Sequence, residues 1–158
     1  MKHSIKTGLN FGLTSGIITT LGLMTGLNAG THSESVVIGG ILTIAVADAF
    51  SDALGIHMAE ESENKHTARE IWEATTATFA SKFIFTLTFL VPVLLFNLSA
   101  AIAISIIWGL LWLIILSTLT AKNQKMKLLP AVFEHLLIAI AVIAATHQIG
   151  DWLAGRFS

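Results

Sequence analysis

Five apolar stretches, separated by short polar segments, follow one another along the chain. Each approaches or exceeds the roughly 20 residues with which an α-helix crosses a hydrocarbon core about 30 Å thick. The pattern therefore predicts an all-α, polytopic membrane protein whose five transmembrane helices form a single domain over residues 1–158. The predicted spans are residues 8–27, 36–58, 77–96, 100–119 and 128–152.

The composition agrees with this pattern, since 54% of the residues are hydrophobic and 12% are charged. A soluble domain of this size cannot bury so much apolar surface. The net charge of −1 gives no general attraction to nucleic acid, so we expect no such partner. The lack of cysteine excludes disulfides and thiolate metal sites. No small-residue cleavage site follows the first apolar stretch, and we expect that stretch to be retained as a membrane helix.

The basic residues predict the orientation. With five spans the termini fall on opposite sides, and eight of the nine Lys and Arg residues fall on the N-terminal side. The positive-inside rule then places the N-terminus in the cytoplasm and the C-terminus outside. Lys82 belongs to the eight because it lies near one end of the third span, where we expect its long side chain to reach the interface.

Two aspartates lie in the middle of the second span. Asp48 and Asp52 are four residues apart, so a helix places them on one face, one turn apart. Each carboxylate costs on the order of 2.5–3.5 kcal/mol to insert at membrane depth, and acids in such positions usually serve ion or proton pathways. We therefore predict a cation site at this pair, with hydroxyl oxygens from the adjacent Ser51 and from Ser15 of the first helix.

The chemistry of the pair leaves two interpretations open. Two carboxylates on adjacent turns cannot both ionise cheaply in a low dielectric, and a divalent cation supplies the counter-charge more completely than a proton does. Binding of metal with release of at least one proton is the physical basis of metal–proton antiport. The alternative is a non-transporting membrane subunit or a proton-conducting protein in which the acid pair is structural.

A second polar group follows the second span. Its spacing places four potential metal ligands along one helical stripe, similar to the carboxylate–histidine sites of helical bundles. These residues are Glu63, His66, Glu70 and Glu73. The alternative is a solvated helix face, because Lys65 and Arg69 are interspersed. At the start of the fifth span, Glu134 and His135 are candidates for a proton relay or an interfacial cap.

Glycines recur at four-residue intervals along the first helix, in two runs. They are Gly8, Gly12 and Gly16, then Gly22, Gly26 and Gly30. Such small-xxx-small spacing lets two membrane helices approach closely. The stripe predicts either the contact surface of a homodimer or close packing within the chain.

Together, the first two spans resemble the vacuolar iron transporter family. The similarity begins in residues 11–20 (FGLTSGIITT), continues through residues 45–55 (AVADAFSDALG) and ends at residues 61–63 (ESE). The resemblance implies five spans, a cytoplasmic N-terminus and a two-fold homodimer with the pathway near its axis. With the acid pair, it leads us to expect export of Fe²⁺ or Mn²⁺ from the cytoplasm in exchange for protons, across a prokaryotic inner membrane.

The chain departs from the family pattern in three ways. Ser15 stands where the family has an aspartate, Asp52 stands where it has a methionine, and the cytoplasmic metal-binding insert is missing. An all-oxygen site of this kind suits Mn²⁺, Mg²⁺ or Ca²⁺ as readily as Fe²⁺. The metal is expected as a transported substrate, without a permanently bound cofactor.

Enzyme interpretations are not supported. The chain has no phosphate-binding glycine loop. Intramembrane aspartyl proteases carry their two aspartates on different helices, whereas Asp48 and Asp52 share one. We therefore expect a protein that is not an enzyme.

Overall fold

Helices account for nearly all of the residues that the computed structural model describes, which are residues 2–157. The predicted domain, residues 1–158, extends one residue beyond this range at each end. Short connections join the six helices. Because a single residue separates α3 from α4, these two form one continuous segment, and the chain has five successive helical segments. The helices are α1 (His3–Thr31), α2 (Glu34–Ser62), α3 (Ala68–Thr88), α4 (Leu90–Leu95), α5 (Leu98–Gln124) and α6 (Leu128–Phe157).

Four helical segments are long and apolar enough to cross a membrane. They are residues 34–62, 68–95, 98–124 and 128–157. The protein is therefore a polytopic, all-α membrane protein. The remaining long helix, α1, packs against α2, α3, α5 and α6. Because protein surrounds much of α1, small and hydroxyl side chains can replace the large apolar ones that lipid contact requires.

The glycines of α1 are used for packing within the chain. The first run faces α3, where a Cβ added to Gly12 would collide with Ser81 and with the backbone of Thr78. The second run faces α6, where a Cβ on Gly26 would lie 3.2 Å from the Thr146 carbonyl oxygen. The prediction that this stripe forms the contact surface of a homodimer is therefore wrong, and the prediction of close packing within the chain is correct.

Local hydrogen bonds fix the ends of the helices. His32 and Lys125 adopt positive φ angles of 50° and 54° and donate their N–H groups to the last turns of α1 and α5. Thr67 starts α3 with a capping box, and the Asn97 side chain caps α5. Helices α1 and α2 extend several residues beyond the predicted spans, so the connections between helices are shorter than the polar segments of the sequence suggest.

The third predicted span is broken at Phe89. Pro92 has no N–H to donate to the Thr88 carbonyl, and its ring crowds that carbonyl, so the regular helix ends there and a short helix follows. Phe89 fills the break with a fully buried ring that packs edge-on against Phe85. The apolar core lies beside this break, between α1, α2, α3 and α5.

Candidate cation site in the membrane

Lys82 of α3 joins the two aspartates of α2. Its Nζ lies 2.6 Å from Asp48 Oδ2 and 2.5 Å from Asp52 Oδ2. It also donates a hydrogen bond of 2.9 Å to Ser15 Oγ of α1. Three helices thus contribute to one charged cluster, which we call the acid–lysine cluster: Ser15, Asp48, Asp52 and Lys82.

The position of Lys82 corrects the sequence-based expectation for this residue. Its side chain is 1% exposed, compared with 28% for Asp48 and 19% for Asp52. Lys82 therefore does not reach the membrane interface. Without it, the count of basic residues on the two sides becomes seven against one, which still favours a cytoplasmic N-terminus.

Close approach of α1 and α3 brings Lys82 to the aspartates. The stem of Lys82 runs along Gly16, where an added Cβ would lie 3.3 Å from Lys82 Cγ. One turn further, Thr20 donates a hydrogen bond of 3.3 Å to Thr86. Because an ammonium group buried without a partner costs several kcal/mol, the two carboxylates are what makes this position tolerable for lysine.

The cluster carries one negative charge more than it carries positive charge when all three groups are ionised. Asp48 Oδ2 accepts no hydrogen bond, so its short contact with Lys82 is an ion pair without hydrogen-bond geometry. The sequence led us to expect that a proton would supply the counter-charge in the empty site. Lys82 provides a counter-charge in addition to any such proton.

An open groove lined by α1, α2 and α6 reaches the cluster at Asp48, and Lys82 is not among its lining residues. It has a volume of about 550 Å³, and Asp48 and Ser51 face it together with hydroxyl groups of α1 and α6. Ser51 lines this groove together with Asp48, whereas Ser15 does not line it and accepts its hydrogen bond from Lys82. The groove is lined by Thr19, Gly22, Leu23, Ile44, Ala47, Asp48, Ser51, Val142 and Thr146.

The helical stripe predicted between the second and third spans is not formed. Helix α2 ends at Ser62 and α3 begins at Ala68, so Glu63 and His66 lie in the connection. His66 Nε2 is 3.3 Å from a Glu60 carboxylate oxygen and 3.9 Å from one of Glu63. Within residues 2–157, no group of three or more His, Asp or Glu side chains is arranged to hold a metal ion.

The other two residues of that stripe lie in the first turns of α3, where Glu73 joins α3 to the start of α1 and Glu70 completes the capping box of α3. Glu73 accepts hydrogen bonds from Lys2, at 2.6 Å, and from Ser4, at 2.9 Å. These bonds, the one from Lys2 first, hold the pKa of Glu73 below its usual range. Glu70 accepts hydrogen bonds from Thr67, which lower its pKa in the same way. Both carboxylates thus serve the fold.

The predicted proton relay lies on a different pair of helices. His135 Nδ1 of α6 is 2.9 Å from Ser117 Oγ of α5, and Glu134 is exposed. In the described part of the chain, no hydrogen bond links these two residues to the acid–lysine cluster. The relay therefore stays a prediction.

The family comparison covers part of the residues that form the site. The sequence profile of the VIT family matches residues 9–75. Over this region the chain is similar to the VIT family. The resemblance to vacuolar iron transporters is thus confirmed, although the match covers less than half of the chain. It includes Ser15, Asp48 and Asp52 and ends before Lys82.

The family match indicates membrane metal transport as the general function. It is also consistent with the expectation that this protein is not an enzyme. A search of curated proteins gives no match to the chain.

Proposed function

We propose that this VIT-family protein is a secondary transporter that exports a divalent metal, Fe²⁺ or Mn²⁺, from the cytoplasm in exchange for protons. The observation that carries the proposal is the acid–lysine cluster, in which two carboxylates share one ammonium group at membrane depth and Asp48 also faces a groove. A site with excess negative charge attracts cations, and an acid pair that can also bind protons couples the two ions. Metal flux into proteoliposomes, with Asp52→Asn as the site variant, tests it.

One observation favours a second candidate function. Lys82 compensates much of the charge of the aspartates, as it would in an ion pair that only fixes three helices relative to one another. In that case the protein is a non-transporting membrane subunit or a proton-conducting protein. The two functions differ in one result, because only the first gives metal flux by the reconstituted wild-type protein alone.

We further propose that α1 also crosses the membrane, giving five spans with the N-terminus in the cytoplasm of a prokaryote. With 29 residues, α1 is about 43 Å long, which is enough to cross the hydrocarbon core. Lys2, which precedes the first residue of α1, lies beside Glu73 near the start of α3. Most of the basic residues gather at this end, as the positive-inside rule requires of a cytoplasmic side.

Cysteines placed at His3 and at Gly155 are expected to react with a membrane-impermeant thiol reagent from opposite sides. The chain has no cysteine of its own, so each variant carries a single label. Both positions are exposed. They are preferred to the nearby serines because Ser4 is buried and Ser158 lies outside the described residues. The measurement compares labelling in right-side-out and inside-out membrane vesicles. Labelling of both variants from one side would contradict the five-span topology.

We also propose that the transporter is a homodimer whose contact surface lies on α2. Exposed small residues recur there at four-residue intervals: Gly39, Thr43, Ala47, Ser51 and Gly55. A Cβ at Gly39 or Gly55 meets nothing within 4 Å, so this face is open in the single chain. The stripe runs beside Asp48, whose side chain is 28% exposed. A second copy packed here would shield that carboxylate from lipid.

Ala47→Cys is expected to form a disulfide-linked dimer when membranes are treated with a mild oxidant. Ala103→Cys on α5 is the matched control, since it makes the same substitution at an exposed helical alanine on another face. Two copies related by a two-fold axis along α2 bring their Ala47 positions together and keep their Ala103 positions apart. The measurement is the dimer fraction on a non-reducing gel. Equal cross-linking of the two variants would contradict this contact surface.

A further inference from the structure

We propose, resting on the proposed transport function, that Lys82 is a tethered cation that occupies the position of the cargo. An incoming metal ion must then displace the ammonium group from between the two aspartates before it can bind them.

The coordination of Lys82 Nζ supports this role. Three oxygen atoms converge on it at distances between 2.5 and 2.9 Å. They belong to Asp48, Asp52 and Ser15. Carboxylate and hydroxyl oxygens are also the donors that hard divalent cations prefer. Because two cations cannot share the same few oxygens at such distances, the ammonium group and a metal ion exclude each other.

Lys82 and the groove reach the cluster along different residues. Lys82 enters from α3 along Gly16 of α1. The groove lined by α1, α2 and α6 reaches Asp48 and Ser51, and Lys82 does not line it. A metal ion arriving through the groove therefore meets the Asp48 carboxylate before it meets the lysine. The flexible four-carbon stem of lysine lets the ammonium group withdraw without movement of the backbone.

The charge balance predicts what Lys82 does to affinity. With Lys82 present, the ionised cluster has one excess negative charge, and a bound divalent ion leaves one excess positive charge. Without the ammonium group, a divalent ion neutralises the two carboxylates fully. Lys82 thus weakens metal binding, which allows the cargo to be released again.

Lys82→Met is expected to bind Mn²⁺ at least about tenfold more tightly than the wild type does. Lys82→Arg keeps the positive charge and is expected to show no such gain. The measurement is a titration of purified protein in detergent with Mn²⁺ alone, followed by the electron paramagnetic resonance signal of the free ion. Lys82→Gln is measured in parallel in case Lys82→Met fails to fold, and the elution volume in size-exclusion chromatography monitors the fold of each variant.

The titration also separates this inference from the proposed function. Tighter binding by the neutral Lys82 variants, lost again when Asp52→Asn is added, supports the tethered cation. Equal affinity of the wild type and the neutral variants, together with weaker binding by Asp52→Asn alone, overturns the inference and leaves the transport proposal intact. Failure of the wild type and of every Lys82 variant to bind Mn²⁺ overturns both.

Discussion

The double substitution Asp48→Asn with Asp52→Asn is expected to destabilise the folded protein by about 3–5 kcal/mol, the usual cost of leaving a buried charge without its partner. Lys82, 1% exposed, would keep only the Ser15 hydroxyl as a partner. Either single substitution leaves one carboxylate paired with one ammonium group and should cost much less. The measurement is the free energy of unfolding in mixed micelles, followed by tryptophan fluorescence, to which Trp112 beside Phe85 contributes.

Two further variants identify the cause of that loss. Adding Lys82→Met to the double variant removes the last charge and is expected to restore most of the stability, because no buried charge is then left unpaired. Asp151→Asn is the control for the chemical change, since that carboxylate is 60% exposed on α6. A double variant as stable as the wild type would show that the cluster is solvated and that Lys82 does not need its carboxylates.

The helices of this protein could be predicted from the sequence because the apolar stretches exceed the length that a membrane crossing needs. Their ends could not, because these depend on local hydrogen bonds such as those of His32 and Thr67. The break at Phe89 does have a local signal in Pro92, which removes a hydrogen bond from the helix interior.

The aspartates of the site could be predicted from the sequence, but their partner could not be predicted in the same way. Asp48 and Asp52 stand out because each is costly inside an apolar run. Lys82 is equally costly, and the rule that intramembrane charges pair applies to it too. Because Lys82 lies near one end of the third predicted span, we expected its side chain to reach the membrane interface instead. The position of the Lys82 side chain depends on tertiary packing, because Gly16 lets α3 approach α1 closely enough for Lys82 to reach the aspartates.

The two stripes of small residues show a further limit of sequence reasoning. The glycines of α1 have the spacing of a dimer contact, yet α3 and α6 of the same chain cover them. The stripe on α2 from Gly39 to Gly55 has the same spacing and is exposed. It is less visible in the sequence because alanine, serine and threonine occupy its middle. The spacing of small residues identifies a helix face that permits close approach, but only the packed structure shows whether other helices of the same chain already cover that face.

Asp52→Asn is expected to reduce Mn²⁺ uptake into proteoliposomes at least about tenfold and to remove its dependence on a pH gradient. The substitution keeps the shape of the side chain but leaves the cluster with one carboxylate and one ammonium group. Losing one negative charge about 4 Å from a cation weakens the attraction by on the order of 4 kcal/mol at an effective dielectric constant of 20. A loss of only about 1.4 kcal/mol already corresponds to tenfold.

The assay follows Mn²⁺ entry into vesicles whose lumen is more acidic than the bath, so that the lumen represents the outside of the cell. Wild-type flux is expected to rise as the lumen is acidified, because an inward proton gradient drives export of the metal from the cytoplasm. Asp151→Asn is the control and should behave as the wild type does. It also replaces an aspartate with asparagine, but Asp151 is exposed and lies far along the chain from the cluster. If Asp52→Asn transports normally, or if wild-type flux ignores the gradient, the acid pair is a structural element that fixes α2 against α3.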